Sequence, residues 1–137
     1  MVKGVFGFNV AVKKENFKEV VERWASILGI EPVYLEPDEF AVPGVLGARL
    51  QLGEVFVHIM AGDNEKVPAA RFVASKGEGV FLVSFTVDSV EKTMDELSDK
   101  GVKFVFDKGL PFTGGVVNFA HPKSMNGVQV EFLQLDE

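Results

Sequence analysis

At 137 residues, with 47% hydrophobic and 25% charged side chains, the chain has the composition of one globular domain, or of two small fused modules, able to bury a core. Its net charge of −6, with no basic cluster, argues against a nucleic-acid partner, and the absence of cysteine excludes disulfides and thiolate metal sites. Met1-Val-Lys-Gly runs straight into strand-like sequence without a secretory leader, and no apolar stretch is long enough to span a bilayer, so a cytoplasmic protein with no membrane partner is expected.

Val5 to Val12 reads as a nearly continuous apolar strand in which Asn9 is the polar exception. Asn16 opens a helix, with Glu19 completing part of a capping-box pattern. Phe17, Val20, Val21, Trp24 and Leu28 recur at helical spacing, and Gly29 is placed to end the helix in a left-handed turn. A short strand, Val33 to Leu35, lies between Pro32 and Pro37, and a loop runs from Pro37 to Gly44. Ala48 to Leu52 and Val55 to Met60 form a strand pair around a Gly53-Glu54 turn. Residues 61–79, rich in Gly, Pro, Lys and Ala and without sustained period, read as a linker.

The same order then starts again. Val80 to Val87 is a strand. Asp88 with Glu91 repeats the helix-start signal, Val90, Met94 and Leu97 make the buried stripe, and Gly101 ends it. Val102 to Phe106 is a strand, Lys108 to Gly115 a loop, and Val116 to Ala120 and Val128 to Gln134 the closing strands. Asn16 to Gly29 matches Asp88 to Gly101 in length, and Phe6–Val12 lies over Phe81–Val87. Val55–Met60 lies over Val128–Leu133, which pairs His58 with Glu131. Each half reads βαβββ, so residues 1–60 and 80–137 are two copies of one unit around a 61–79 linker.

The closing run His121-Pro-Lys-Ser-Met-Asn-Gly127-Val-Gln-Val-Glu131-Phe-Leu-Gln134 is a turn followed by a strand that carries a carboxylate among apolar residues. This run, with the duplicated βαβββ order over the whole chain, resembles the vicinal-oxygen-chelate superfamily, the fold of glyoxalase, bleomycin-resistance and dioxygenase proteins. The turn and strand are most similar to the methylmalonyl-CoA epimerase-like members. The resemblance implies an α+β protein. Its two tandem modules would form an open, cupped eight-stranded sheet with helices outside, a small-molecule ligand inside, and a homodimeric assembly.

The family's metal ligands come from the first and last strand of each half, which the resemblance maps to Gly7, His58, Leu82 and Glu131. Gly7 and Leu82 cannot ligate, so His58 and Glu131 remain as the catalytic and metal candidates. No cofactor, or a weakly held divalent metal, is expected, because a catalytic metal ordinarily takes at least three protein ligands. Asn9, Phe56, Met60, Leu82, Ser84 and Gln129 are expected to line the ligand cavity. The family's second carboxylate falls near Val42, with Glu39 close in sequence. Without a metal, His58 and Glu131 are expected to pair, each favouring the other's charged form. Arg49 sits on a strand whose facing the pattern leaves open: inward it would hold a carboxylate or phosphate, outward it is solvated. Two functions follow from different classes. One is metal-independent binding of an apolar or acyl ligand, as in the bleomycin-resistance type. The other is an isomerase or lyase using His58 and Glu131 next to a carbonyl, with or without a weakly held metal.

Overall fold

The computed structural model describes all of residues 1–137. Eight strands are present: β1 (Val2–Ala11), β2 (Val33–Tyr34), β3 (Val45–Leu52), β4 (Val55–Gly62), β5 (Gly79–Val87), β6 (Leu110–Phe112), β7 (Gly115–Ala120) and β8 (Val130–Leu135). The helices are α1 (Phe17–Leu28), α2 (Pro68–Lys76) and α3 (Val90–Ser98). The eight-stranded sheet has the order β2-β3-β4-β1-β5-β8-β7-β6, the α+β arrangement expected of a duplicated unit. No helix is long and apolar enough to cross a membrane.

The chain divides into two compact units, residues 7–81 and residues 1–6 with 82–137. The first five residues of β1, Val2–Phe6, therefore belong with the second half of the sequence. There the Thr86 hydroxyl donates to the Gly4 carbonyl, and Asp88 N–H donates to the Met1 carbonyl.

In the 7–81 unit, β1 runs parallel to β4, and β4 pairs antiparallel with β3. One face of these strands is a hydrocarbon core. Val10, Val12, Ala48, Leu50, Val57, Ile59 and Ala61 pack against Val21 and Ala25 of α1, with Phe17, Val20 and Trp24 at the margin. The helical spacing of the apolar residues in α1 is what presents that stripe to the strands. Gly29 ends the helix at φ 68°, a left-handed turn that glycine enters without steric cost. The Asn16 side chain does not cap α1. Its Nδ2 instead donates to Glu78 Oε2, which also accepts Lys13 N–H at 2.8 Å, so a residue from the end of the linker anchors the helix start. These bonds hold the Glu78 carboxyl below its ordinary pKa.

The stretch read as an unstructured linker contains α2. Pro68 sits in its first turn, where the missing N–H costs nothing, and Lys76 lies in its last turn. Its weak apolar stripe hid it from periodicity. What holds it is tertiary: Val67 joins Val45 and Met60 in a small cluster with Phe40 and Val42.

In the second unit β5 runs parallel to β8, and β8 pairs antiparallel with β7. Val87, Val90, Ala120, Val130 and Phe132 form its core, with Phe85, Met94, Leu97 and Phe104 packed around them. The cap of α3 is Ser89 and not Asp88: the Ser89 side chain accepts the Lys92 N–H. The strand expected over Val102–Phe106 does not form; Phe104 makes a single bridge to Ala120. Instead Asn118, fully buried, donates from Nδ2 to the Phe106 carbonyl at 2.9 Å while its Oδ1 accepts Phe106 N–H at 3.3 Å. A side-chain amide thus replaces the next rung of the ladder and turns the segment away. The second strand of this half is β6, inside the expected 108–115 loop.

Candidate functional site

The internal duplication reappears in the register of each unit. In the first, Asn9 on β1 is the direct partner of His58 on the parallel β4. In the second, Ser84 on β5 is the direct partner of Glu131 on the parallel β8. Alternation along the strands puts both pairs on the face turned away from the helix of their own unit. The repeat therefore delivers one small polar residue and one titratable residue at the same place twice. Asn9 and His58 are buried, Ser84 is almost completely so, and Glu131 is half-buried.

Arg49 is the direct cross-strand partner of His58, and Arg49 Nε donates to His58 Nε2 at 3.0 Å. Because a guanidinium can only donate, the imidazole accepts at Nε2 and carries its proton on Nδ1. The guanidinium carbon lies 4.9 Å from the Phe56 ring centroid, a cation–π contact, and the Phe56 and His58 rings lie 6.3 Å apart. Burial first, and the Arg49 charge second, lower the His58 pKa from 6.5 to about 4. This corrects the expectation that His58 is kept protonated by a neighbouring carboxylate. Its surroundings favour the neutral ring.

Glu131 is shifted the other way. Its carboxyl is enclosed by protein, which raises its pKa, and the Ser84 hydroxyl, donating at 2.7 Å to Oε1, partly opposes that rise. The half-buried residue keeps some exposed surface, but its carboxyl end is the enclosed part, and that end sets the titration.

The remaining expected residues divide. Phe56 lies beside Arg49 and His58. Met60 packs into the small core under Val67 and Phe40, and Leu82 is a buried apolar side chain. Gln129 precedes β8, where its carbonyl accepts Val83 N–H and its side chain is half-buried. Val42 belongs to the same core as Met60, and Glu39 Oε2 accepts the Glu36 N–H at a tight turn. The residue not placed from sequence was Arg49. A two-residue hairpin at Gly53-Glu54 pairs Leu52 with Val55, and counting back along both strands sets Arg49 opposite His58. The glycine-first turn, with Gly53 at φ 64°, was the available signal.

The donor set does not fit a divalent ion. At position 7 a Cβ would stand 1.7 Å from the Phe56 carbonyl oxygen, so no ligating side chain is admitted without moving backbone. Leu82 offers no donor. The His58 lone pair is already taken by a cation, and no group of three or more His, Cys, Asp or Glu is gathered anywhere in the chain.

Residues 9–120 match the profile of the glyoxalase/bleomycin resistance protein/dioxygenase superfamily. The chain belongs to this superfamily. Its vicinal-oxygen-chelate fold is shared with methylmalonyl-CoA epimerase from Mycobacterium tuberculosis, at TM-score 0.85 and 23% identity over 99% of this chain and 90% of that one. A hypothetical protein from Bacillus halodurans C-125 is similar at TM-score 0.84 and 26% identity, over 97% and 94% of the two chains. A variant Streptomyces coelicolor methylmalonyl-CoA epimerase in complex with 2-nitronate-propionyl-CoA aligns over 100% of both chains, at TM-score 0.86 and 20% identity. A search of curated proteins finds no match. The epimerase likeness expected from the closing run is thus found among this superfamily member's structural neighbours.

Proposed function

We propose that this superfamily member is a metal-independent small-molecule-binding protein whose ligand is apolar or an acyl group. The observation that carries the reading is the Arg49–His58 hydrogen bond. It occupies the imidazole lone pair with a permanent cation, at the one position in its unit from which a histidine was expected to ligate. The acyl class is supported by the neighbours in fold, among which are methylmalonyl-CoA epimerases and one complex with an acyl-CoA analogue. A cytoplasmic homodimer is part of the proposal, and light scattering of the purified protein tests the dimer.

The second reading is an isomerase or lyase in which Glu131 gives and His58 takes a proton beside a carbonyl. The raised pKa of the enclosed Glu131 carboxyl favours it, because a neutral acid at working pH is a proton donor. Against it stands His58, whose pKa of about 4 makes a weak base for a carbon-bound proton. Binding therefore leads. The test is a thermal-shift and calorimetric panel of acetyl-, butyryl- and methylmalonyl-CoA in the presence of EDTA. Stabilisation by at least one acyl thioester in chelator is expected. Stabilisation seen only after adding a divalent ion refutes metal independence. Solvent deuterium appearing at C2 of methylmalonyl-CoA at an enzyme-like rate moves the conclusion to the isomerase.

A further inference from the structure

We propose that Asn126 is a site of spontaneous covalent modification, losing its side-chain amide through attack by the Gly127 nitrogen, and that the fold holds this site shut with a clip made by Ser124.

The chain has five asparagines, and Asn126 is the one followed by glycine. Glycine carries no Cβ to crowd its own nitrogen, so that nitrogen is the least hindered peptide nucleophile. Asn126, Gly127 and Val128 are exposed, so water reaches the turn. In the reaction the Gly127 nitrogen gives up its proton to solvent and bonds to Asn126 Cγ. The bond from Cγ to the side-chain nitrogen breaks, ammonia leaves, and a five-membered succinimide remains. One water then opens the ring. Opening at Cγ gives aspartate. Opening at the main-chain carbonyl gives isoaspartate, whose main chain runs through Cβ and Cγ and is longer by one carbon. Either product places a new carboxylate in the turn that leads into β8, the strand of Glu131.

Two features of the folded turn oppose this chemistry. Asn126 adopts the left-handed conformation, φ 59° and ψ 34°, which asparagine tolerates. At that ψ the Gly127 nitrogen lies across Cα from Cβ, whereas ring closure needs it on the Cβ side. The Gly127 N–H is also committed: it donates to the Pro122 carbonyl at 2.8 Å, and the Asn126 N–H donates to the same oxygen. Reaction therefore waits on local opening of residues 122–127. Ser124 resists that opening. Its Oγ accepts the Lys103 N–H at 3.1 Å and donates to the His121 carbonyl at 2.9 Å, tying the turn to a segment 21 residues earlier in the chain. A more local tie is the Lys123 N–H, which donates to His121 Nδ1 at 3.2 Å. A hydroxyl two residues before the asparagine thus governs how often the reactive geometry is sampled.

The test incubates the full-length protein in mildly alkaline buffer, folded and in urea, and follows aspartate and isoaspartate at position 126 by peptide mapping and mass spectrometry. In urea, wild type is expected to convert at Asn126 ahead of its other asparagines. Folded wild type is expected to convert about tenfold more slowly, or slower still, because only the opened turn reacts. Folded Ser124→Ala is expected to convert about fivefold faster than folded wild type, the scale of one lost hydrogen bond. The same two chains should convert equally in urea, which separates the clip from any effect of the altered sequence. Absence of conversion at Asn126 in urea overturns the site. Equal rates for folded and unfolded wild type overturn the closed turn. A folded Ser124→Ala that converts no faster than wild type overturns the clip. If Ser124→Ala does not fold, Ser124→Cys, which keeps the size and weakens both bonds, decides, and an unchanged rate there is the refuting result.

Discussion

Lowering the pH tests the state of His58 directly. Its pKa is about 6.5 in an unfolded chain and about 4 in the folded protein, because burial and the Arg49 charge both oppose protonation. Between these values the unfolded chain binds the extra proton and the folded one does not. Stability is then present in full above pH 6.5 and is lost as the pH falls toward 4. A tenfold change in proton affinity is worth about 1.4 kcal/mol, so the gap corresponds to roughly 3 kcal/mol. Glu131 acts in the opposite sense. Its raised pKa contributes stability that is present below its unfolded value and fades as the pH rises through the folded one. The His58 share is isolated by comparing urea unfolding of wild type and His58→Gln from pH 7.5 to pH 4. Wild type is expected to lose stability more steeply than the variant across that window. In parallel, an NMR titration of the imidazole, in a His121→Asn background that leaves one histidine, is expected to show no protonation above pH 5. A midpoint at or above 6.5 would refute the buried, Arg49-bonded setting and restore a carboxylate-paired His58.

Asn118→Ala removes a buried amide that satisfies both the N–H and the carbonyl of Phe106. A loss of roughly 2–4 kcal/mol is expected, with faster amide exchange confined to residues 103–110; unchanged exchange there would contradict the assigned role. Ser89→Ala, which deletes the cap of α3, should cost about 1 kcal/mol by chemical denaturation, whereas Asp88→Ala should cost less than half of that. Gly7→Ala places a methyl against the Phe56 carbonyl, and a cost of about 3 kcal/mol or failure to fold is expected; a neutral effect on the melting temperature would show that the β1–β4 contact relaxes freely.

Much of this protein was legible from its residues. Alternating Val-rich runs, the helical stripes of α1 and α3, and Gly29 as a stop are local signals, each carried within a turn or two of chain. The repeat itself was readable because two copies of one pattern confirm each other, and it predicted that His58 and Glu131 occupy equivalent places. The register does so, opposite Asn9 and Ser84. Other features depended on groups far apart in sequence. Helix α2 is held by Val67 and its neighbours more than by its own periodicity, and the Val102–Phe106 segment was diverted by the amide of Asn118. Residues 1–6 joined the second half of the chain, although their sequence continues smoothly into the first. The chemistry of the site was of this kind as well. A histidine four residues beyond a Gly53-Glu54 turn looks the same on paper whether a carboxylate or a guanidinium meets it. Tertiary structure decided the matter by burying the ring, which first disfavours its charged form, and by closing a hairpin that put Arg49 on its lone pair.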